Sequence, residues 1–187
     1  GYFVLPYTIG DYLSKDIRTG KIPTDTKEFD QAENEVKDRI NKLMSGSGER
    51  SVDYYHKTLG KIMWNKCGMS RNEKDLKDAI EEISALREDF WNNVKVPGTK
   101  DTLNQELEKA GRVADFLELG ELFAKDALDR RESCGGHFRE ESVELDGAQK
   151  GEALRDDKNF KYVSAWEYKG APKEALLHKE ELNFENI

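Results

Sequence analysis

The chain has 187 residues, of which 36% are hydrophobic and 36% are charged, and its formal net charge is −8. This length is enough for one domain with a sizeable core, and the acidic balance argues against nucleic acid as a partner, because phosphate binding requires clustered Lys and Arg. The longest apolar run, residues 2–5, is far too short to cross a bilayer, so no direct membrane insertion is expected.

The first segment, residues 1–13 (GYFVLPYTIGDYL), is apolar and aromatic on more than one side. Pro6 limits how regular a helix can be there. The sequence therefore predicts the tail of a preceding domain, cut at its edge, and residues 15–26 with Gly20 and Pro23 predict a linker. The first predicted domain, residues 1–20, combines this tail with the linker.

Three amphipathic helices are predicted next. The first covers residues 27–44, with apolar residues on one stripe, and ends at the turn of residues 46–48. Ser51 is a candidate cap for the second, which continues to Gly68. The third is predicted to open with a capping box of Ser70 and Glu73 and to stop at Pro97-Gly98.

The longest periodic stretch predicts a helix from Leu103 to Arg131, roughly 43 Å long at 1.5 Å per residue. Its apolar surface is too wide for one partner, so the helix belongs at the centre of a bundle. Gly111 and Gly120 lie inside it, where a close helix contact would compensate for their cost. The predicted fold is mainly α, an antiparallel helical bundle of three to four helices, spectrin-repeat-like, over residues 21–133.

The last predicted domain, residues 134–187, begins with a polar loop hinged at Gly135-Gly136. Residues 160–168 (FKYVSAWEY) and 174–182 predict a small β-hairpin or extended C-terminal segment around a turn at residues 170–172. A lone hairpin is marginal in water, so this one is expected to lie on the bundle, on another strand or on a further domain.

Local signatures of familiar chemistry are missing from the sequence. It contains no P-loop, GxGxxG, HExxH, GxSxG or EF-hand loop. Cys67 and Cys134 are far apart and favour a reducing compartment over a disulfide framework. The three histidines fall in three different predicted elements. Catalytic, cofactor-binding and metal-binding residues are therefore predicted to be none.

One polar cluster, residues 130–140, stands out at the predicted end of the long helix. Arg130 and Arg131 suit the helix dipole, so they are expected to cap the helix. His137 and Arg139 lie beyond the glycine pair, where they cannot serve the helix directly and are expected to face a neighbouring domain or subunit. The candidate interface residues are Arg131, Glu132, Ser133, His137 and Arg139.

This cluster carries a family resemblance. RRESCGGHFREE resembles the R-x-E-S-R-G-A-H-x-R-x-D motif of the flavoprotein subunits of succinate dehydrogenase and fumarate reductase, especially the bacterial Bacteroides type. The preceding long helix, the stretch MWNKCGMSRNEKDLKDAIEEISAL, the segment RDDKNFKYVSAWEY and the opening GYFVLPYTIGDYL are similar to that family as well. One departure is Cys134-Gly135-Gly136, which stands where many members carry Arg-Gly-Ala.

The resemblance implies the C-terminal part of a subunit that oxidises succinate to fumarate, or runs the reverse, by hydride exchange with covalent FAD. The family's flavin and dicarboxylate residues would precede Gly1, so the chain alone is expected to be non-catalytic and without its own cofactor. The implied partners are the flavin-binding domain of the same chain and the iron–sulfur subunit, which passes electrons to quinone. The implied location is the cytoplasmic face of the inner membrane, as a peripheral subunit.

Two alternatives remain open from the residues alone. A helical bundle of this kind also suits an independent protein-interaction module. The second alternative is a small enzyme that uses His137 with Glu132 or Arg139, although the sequence offers no nucleophile in a recognisable order.

Overall fold

The computed structural model describes residues 1–16 and 20–183, and its contacts divide the chain into two units, Gly1–Arg39 and Ile40–Ile187. The architecture is mainly helical with small β segments, so the predicted fold class is confirmed. The division falls inside a helix. The domain boundaries predicted at residues 20 and 133 stay predictions.

The first unit opens with α1 (Val4–Tyr7), a π-helical turn (Thr8–Tyr12) and a 3-10 turn (Leu13–Lys15). This irregular start agrees with the expected effect of Pro6. Part of the predicted linker, residues 17–19, lies outside the described residues. Helix α2 (Lys27–Met44) begins in this unit and ends in the second, with the bounds that its apolar stripe predicted.

Two helices of the second unit, both shorter than the long helix described below, begin at side-chain caps. Helix α3 (Val52–Lys66) begins after Ser51, whose hydroxyl accepts the Tyr54 N–H at 3.2 Å, as predicted. Helix α4 (Glu73–Asn93) begins after Asn72, whose Oδ1 accepts the Asp75 N–H at 2.8 Å. The predicted capping box at Ser70 is therefore wrong, because Ser70 is extended and lies in a short strand.

The long helix α5 (Gln105–Asp129) is two residues shorter at each end than predicted, and Asn104 caps it. Leu103 lies before it and is 94% exposed. A Cβ on Gly120 would lie within 3.8 Å of side-chain atoms of Leu59, Met63 and Ile83, which confirms the expected close contact there. The same expectation is wrong for Gly111, where a Cβ would meet nothing within 4 Å.

The core of the second unit lies where α3, α4 and α5 meet. Helix α5 supplies six of its fully buried apolar side chains, so it occupies the centre of the bundle, as predicted. They are Ala110, Val113, Ala114, Leu117, Ala124 and Ala127.

One carboxylate interrupts this apolar face. Glu121 on α5 is 1% exposed, and its Oε2 lies 3.1 Å from an Arg87 Nη of α4. A buried carboxylate requires such a partner, because desolvation strongly disfavours an isolated charge.

Two parallel strand pairs bridge the helix ends. Strand β1 (Arg50–Ser51) pairs with β3 (Val94–Lys95), and β2 (Ser70–Arg71) pairs with β4 (Phe138–Arg139). The second pair matters for the site, because it holds the start of α4 beside the chain that follows α5.

The predicted hairpin is confirmed as β5 (Tyr162–Glu167) paired antiparallel with β6 (Leu176–Glu181), after a one-turn helix α6 (Asp157–Phe160). It lies on the bundle: the Trp166 indole donates to Asp126 of α5 at 2.7 Å. None of the helices in the described ranges is long and apolar enough to cross a membrane.

Candidate functional site

The polar cluster folds back on the helix that precedes it. Cys134 and His137 exchange backbone hydrogen bonds of 2.9 and 3.0 Å, which closes a tight turn over the glycine pair. Gly135 has φ +58, a conformation that glycine adopts without steric cost. The turn reverses the chain, so that β4 returns alongside the end of α5.

Because of this reversal, the side chain of Arg139 lies at the C-terminal end of α5 and caps it. Its side chain is buried, with the residue 2% exposed, and one Nη donates to the carbonyls of Ala127, Leu128 and Arg130 at 3.1 to 3.3 Å. A guanidinium at this end of a helix satisfies free carbonyls and favours the dipole. The expectation that Arg139 cannot serve the helix is therefore wrong, because it assumed that the chain continues away after the glycines.

Glu132 and Ser133 are also buried. The Ser133 hydroxyl accepts the Arg139 N–H at 2.9 Å and donates to its carbonyl at 3.2 Å. The Glu132 carboxylate accepts from Arg130 at 2.6 Å and from the Asp156 N–H at 2.8 Å. In the described chain these two side chains and Arg139 point inward, so they do not form an exposed contact surface.

Arg130 does not cap the helix as predicted. Its guanidinium donates to the carbonyls of Phe160 and Tyr162, both at 3.1 Å, and lies over their rings at 5.8 and 5.2 Å. Arg130 thus attaches the start of the hairpin to the end of α5. Arg131 is exposed, and its backbone carbonyl accepts a hydrogen bond from the Ser142 hydroxyl.

His137 lies between two groups that fix its tautomer. Its Nδ1 is 2.6 Å from an Arg71 Nη, and its Nε2 is 2.8 Å from the Arg130 carbonyl. Because arginine only donates and a carbonyl only accepts, the neutral ring with the proton on Nε2 fits both contacts. Burial lowers the pKa of His137, and the charges of Arg71, Arg139 and Arg130 lower it further, against the carbonyl bond that raises it.

We expect this histidine to make stability fall at mildly acidic pH. Its pKa in the unfolded chain is about 6.5 and lies lower in the native state, so the native state binds fewer protons. The stabilisation is complete above about pH 6.5 and is lost as the pH falls from there towards the native pKa. Urea unfolding at about pH 7.5 and 5.5 measures it.

The control for this prediction is His137→Asn, which keeps a polar side chain but does not titrate. His56 and His178 remain in both proteins, so the difference between the two pH profiles isolates His137. Equal loss of unfolding free energy on acidification in both proteins would contradict the prediction.

Two groups of this site were missed as site residues. Arg71 donates to the Gly68 carbonyl at 2.7 Å as well as to His137, and its guanidinium lies 5.0 Å from the Phe123 ring centre. Glu141 accepts the Glu73 N–H at 2.6 Å, at the first turn of α4. The sequence shows that Glu141 is a carboxylate at the end of the polar motif. It does not show which group Glu141 binds, because the β2 and β4 pairing brings the start of α4 to this place.

A family model described as "Fumarate reductase flavoprotein C-term" matches residues 56–187. The chain belongs to this family, and the resemblance drawn from its motifs is confirmed. An uncharacterised FAD-dependent oxidoreductase of Methanocaldococcus jannaschii is 33% identical over 113 residues, which are 60% of this chain and 20% of that protein. The fumarate reductase flavoprotein subunit of Proteus vulgaris is 28% identical over 153 residues, 81% of this chain and 24% of that one.

Solved structures share the fold. Escherichia coli quinol fumarate reductase matches with a TM-score of 0.71 and 20% identity, over 95% of this chain and 28% of that one. The Mycobacterium smegmatis Sdh1 complex matches with a TM-score of 0.70 and 19% identity, over 90% and 26%. The chain spans about a fifth to a quarter of the length of these curated relatives.

The starts of helices α2 to α5 are unfavourable places for the diphosphate of a flavin dinucleotide. Such groups bind at helix N-termini that present free N–H groups. Helices α2 to α5 each have at least one carboxylate in the first turn, and a carboxylate there competes with a bound anion for the helix dipole. We therefore assign these residues no part in FAD chemistry.

Proposed function

We propose that this chain is the C-terminal region of a flavoprotein subunit that interconverts succinate and fumarate with FAD. Electrons would pass between this subunit and quinone through an iron–sulfur subunit. The observation that carries the proposal is the family match over residues 56–187, which includes the whole polar cluster. The Proteus vulgaris relative, named a fumarate reductase flavoprotein subunit, supports it.

The role proposed for the region is structural. It holds no catalytic residue and packs against the flavin-binding domain of the same chain and the iron–sulfur subunit, at the cytoplasmic face of the inner membrane. The consecutive exposed apolar residues 2–5 support contacts of this kind, because a continuous exposed apolar surface marks an interaction site. Among the candidate interface residues, Arg131 and the half-buried His137 are the ones accessible for such a contact.

The experiment compares the 187-residue chain with the full-length subunit encoded by the same reading frame. We expect the full-length protein to carry a flavin absorption spectrum and to reduce an artificial acceptor when succinate is added. The 187-residue chain should be colourless and inactive in the same assay, because the flavin-binding residues precede it.

Each outcome has a separate meaning. A full-length subunit without bound flavin or succinate-dependent turnover overturns the proposed activity. A flavin spectrum that copurifies with the 187-residue chain overturns only the structural role. Circular dichroism of the short chain is the control, because a folded but colourless chain is needed for the comparison.

A further inference from the structure

A concave surface lies between the last two turns of α5 and the hairpin. It has a volume of about 570 Å³, within the range of ligand-binding clefts. We call it the cationic groove. It is lined by Leu128, the aromatic residues Phe160, Tyr162 and Trp166, and the polar residues Lys125, Asp129, Arg131, Asn159 and Lys179.

The charge of the groove is opposite to that of the chain. Lys125, Arg131 and Lys179 are cationic and Asp129 is acidic, which gives the lining a net charge of +2, whereas the whole chain has −8. A positive concavity on an acidic protein attracts an acidic partner to one place, because the remaining surface repels it.

Two of the three cations are held in place over aromatic rings. Lys125 Nζ donates to the carbonyls of Pro172 and Ala175, each at 3.1 Å, and lies 4.8 Å from the Trp166 ring centre. Lys179 Nζ lies 4.2 Å from the Tyr162 ring centre. Both positions are therefore formed before any partner arrives, which lowers the entropic cost of binding.

The carbonyl end of α5 would ordinarily disfavour an anion at this place, because it bears a partial negative charge. Arg139 removes much of this effect, since its buried guanidinium binds three of the last carbonyls. Arg131 then extends from the same end of the helix to the rim of the groove, where it is exposed.

We propose that the cationic groove binds an acidic segment of a partner polypeptide. Carboxylates of the segment contact Arg131 and Lys179, and an apolar side chain packs against the partly exposed ring of Trp166. Asp129 favours a peptide over a compact anion. Its carboxylate, 3.7 Å from Lys179 and 3.3 Å from the Tyr162 hydroxyl, can accept a peptide N–H, a donor that a phosphate ion does not have.

This proposal rests on residues of this chain alone, so it can fail without affecting the proposed enzyme function. The test is fluorescence anisotropy with a labelled peptide rich in Glu and Asp that has one central Phe. The matched peptide has Gln and Asn in place of the acids. We expect the acidic peptide to bind, the amide peptide not to bind, and added salt to weaken the complex.

The decisive variant is the double charge reversal Arg131→Glu with Lys179→Glu, which should weaken peptide binding by about tenfold or more. Lys57→Glu is the matched control. Lys57 is an exposed cation on α3, so this change should alter binding by no more than about twofold. If circular dichroism shows that the double variant does not fold, the single change Arg131→Gln, which removes one charge without reversing it, is used in its place.

Three results would overturn the proposal. The acidic peptide does not bind, or it binds the groove variant and the Lys57→Glu variant equally, or inorganic phosphate displaces it at equal concentration. The last result identifies a small-anion site in place of a peptide groove.

Discussion

Replacing Leu117 with Ala is expected to lower the free energy of unfolding by about 2–5 kcal/mol. Leu117 is 0% exposed and lies in the middle of α5, within the core that α3, α4 and α5 form. The change removes buried apolar surface and leaves a cavity that the neighbouring helices cannot fill completely. Because small proteins are stable by only about 5–15 kcal/mol, urea unfolding followed by circular dichroism resolves such a loss clearly.

Leu119 provides the matched control. It lies two residues further along the same helix but is 61% exposed, so Leu119→Ala should change stability by no more than about 0.5 kcal/mol. The chemical change and the helix are the same in both variants, which leaves burial as the difference. Equal losses in the two variants would show that α5 is rotated about its axis.

Arg139→Ala is expected to destabilise the isolated chain by about 3 kcal/mol or more. The change removes the guanidinium that binds the carbonyls of Ala127, Leu128 and Arg130. The carbonyls of Ala127 and Leu128 then lose this donor at the end of α5, whereas that of Arg130 keeps its bond to His137. Each buried group left unsatisfied costs about 1–3 kcal/mol. Thermal and urea unfolding of the 187-residue chain measure the effect.

Arg131→Ala is the control here, because Arg131 carries the same side chain near the same helix end but is exposed. Its stability change should stay within about 0.5 kcal/mol. The opposite result would support the expectation from the sequence that Arg139 faces a neighbouring domain or subunit. In that case Arg139→Ala leaves the melt of the chain unchanged but reduces flavin retention or assembly of the full-length subunit.

The helices could be predicted because their determinants are local. Apolar periodicity places α2 and α5 to within two residues, and Ser51 marks the start of α3. The start of α4 was misplaced, because Ser70 pairs with Phe138 in a strand contact between residues distant in sequence. Two-residue strand pairs of this kind leave no periodic pattern.

The composition of the polar cluster could be predicted, but the direction of its side chains could not. Arg130 precedes the turn and Arg139 follows it, so sequence proximity favours Arg130 as the cap of α5. The turn at Gly135 brings Arg139 back to the helix end, and Arg130 donates to the carbonyls of Phe160 and Tyr162 at the start of the hairpin. Both outcomes depend on tertiary contacts.

The segment that follows the turn joins two helix ends that are distant in sequence. Arg139 binds the last carbonyls of α5, and Glu141 binds the first N–H of α4. Helix ends normally fray independently, but here the opening of either one breaks contacts made by the same short segment. We therefore expect the start of α4 and the end of α5 to open together, so that their backbone amides exchange hydrogen at similar rates.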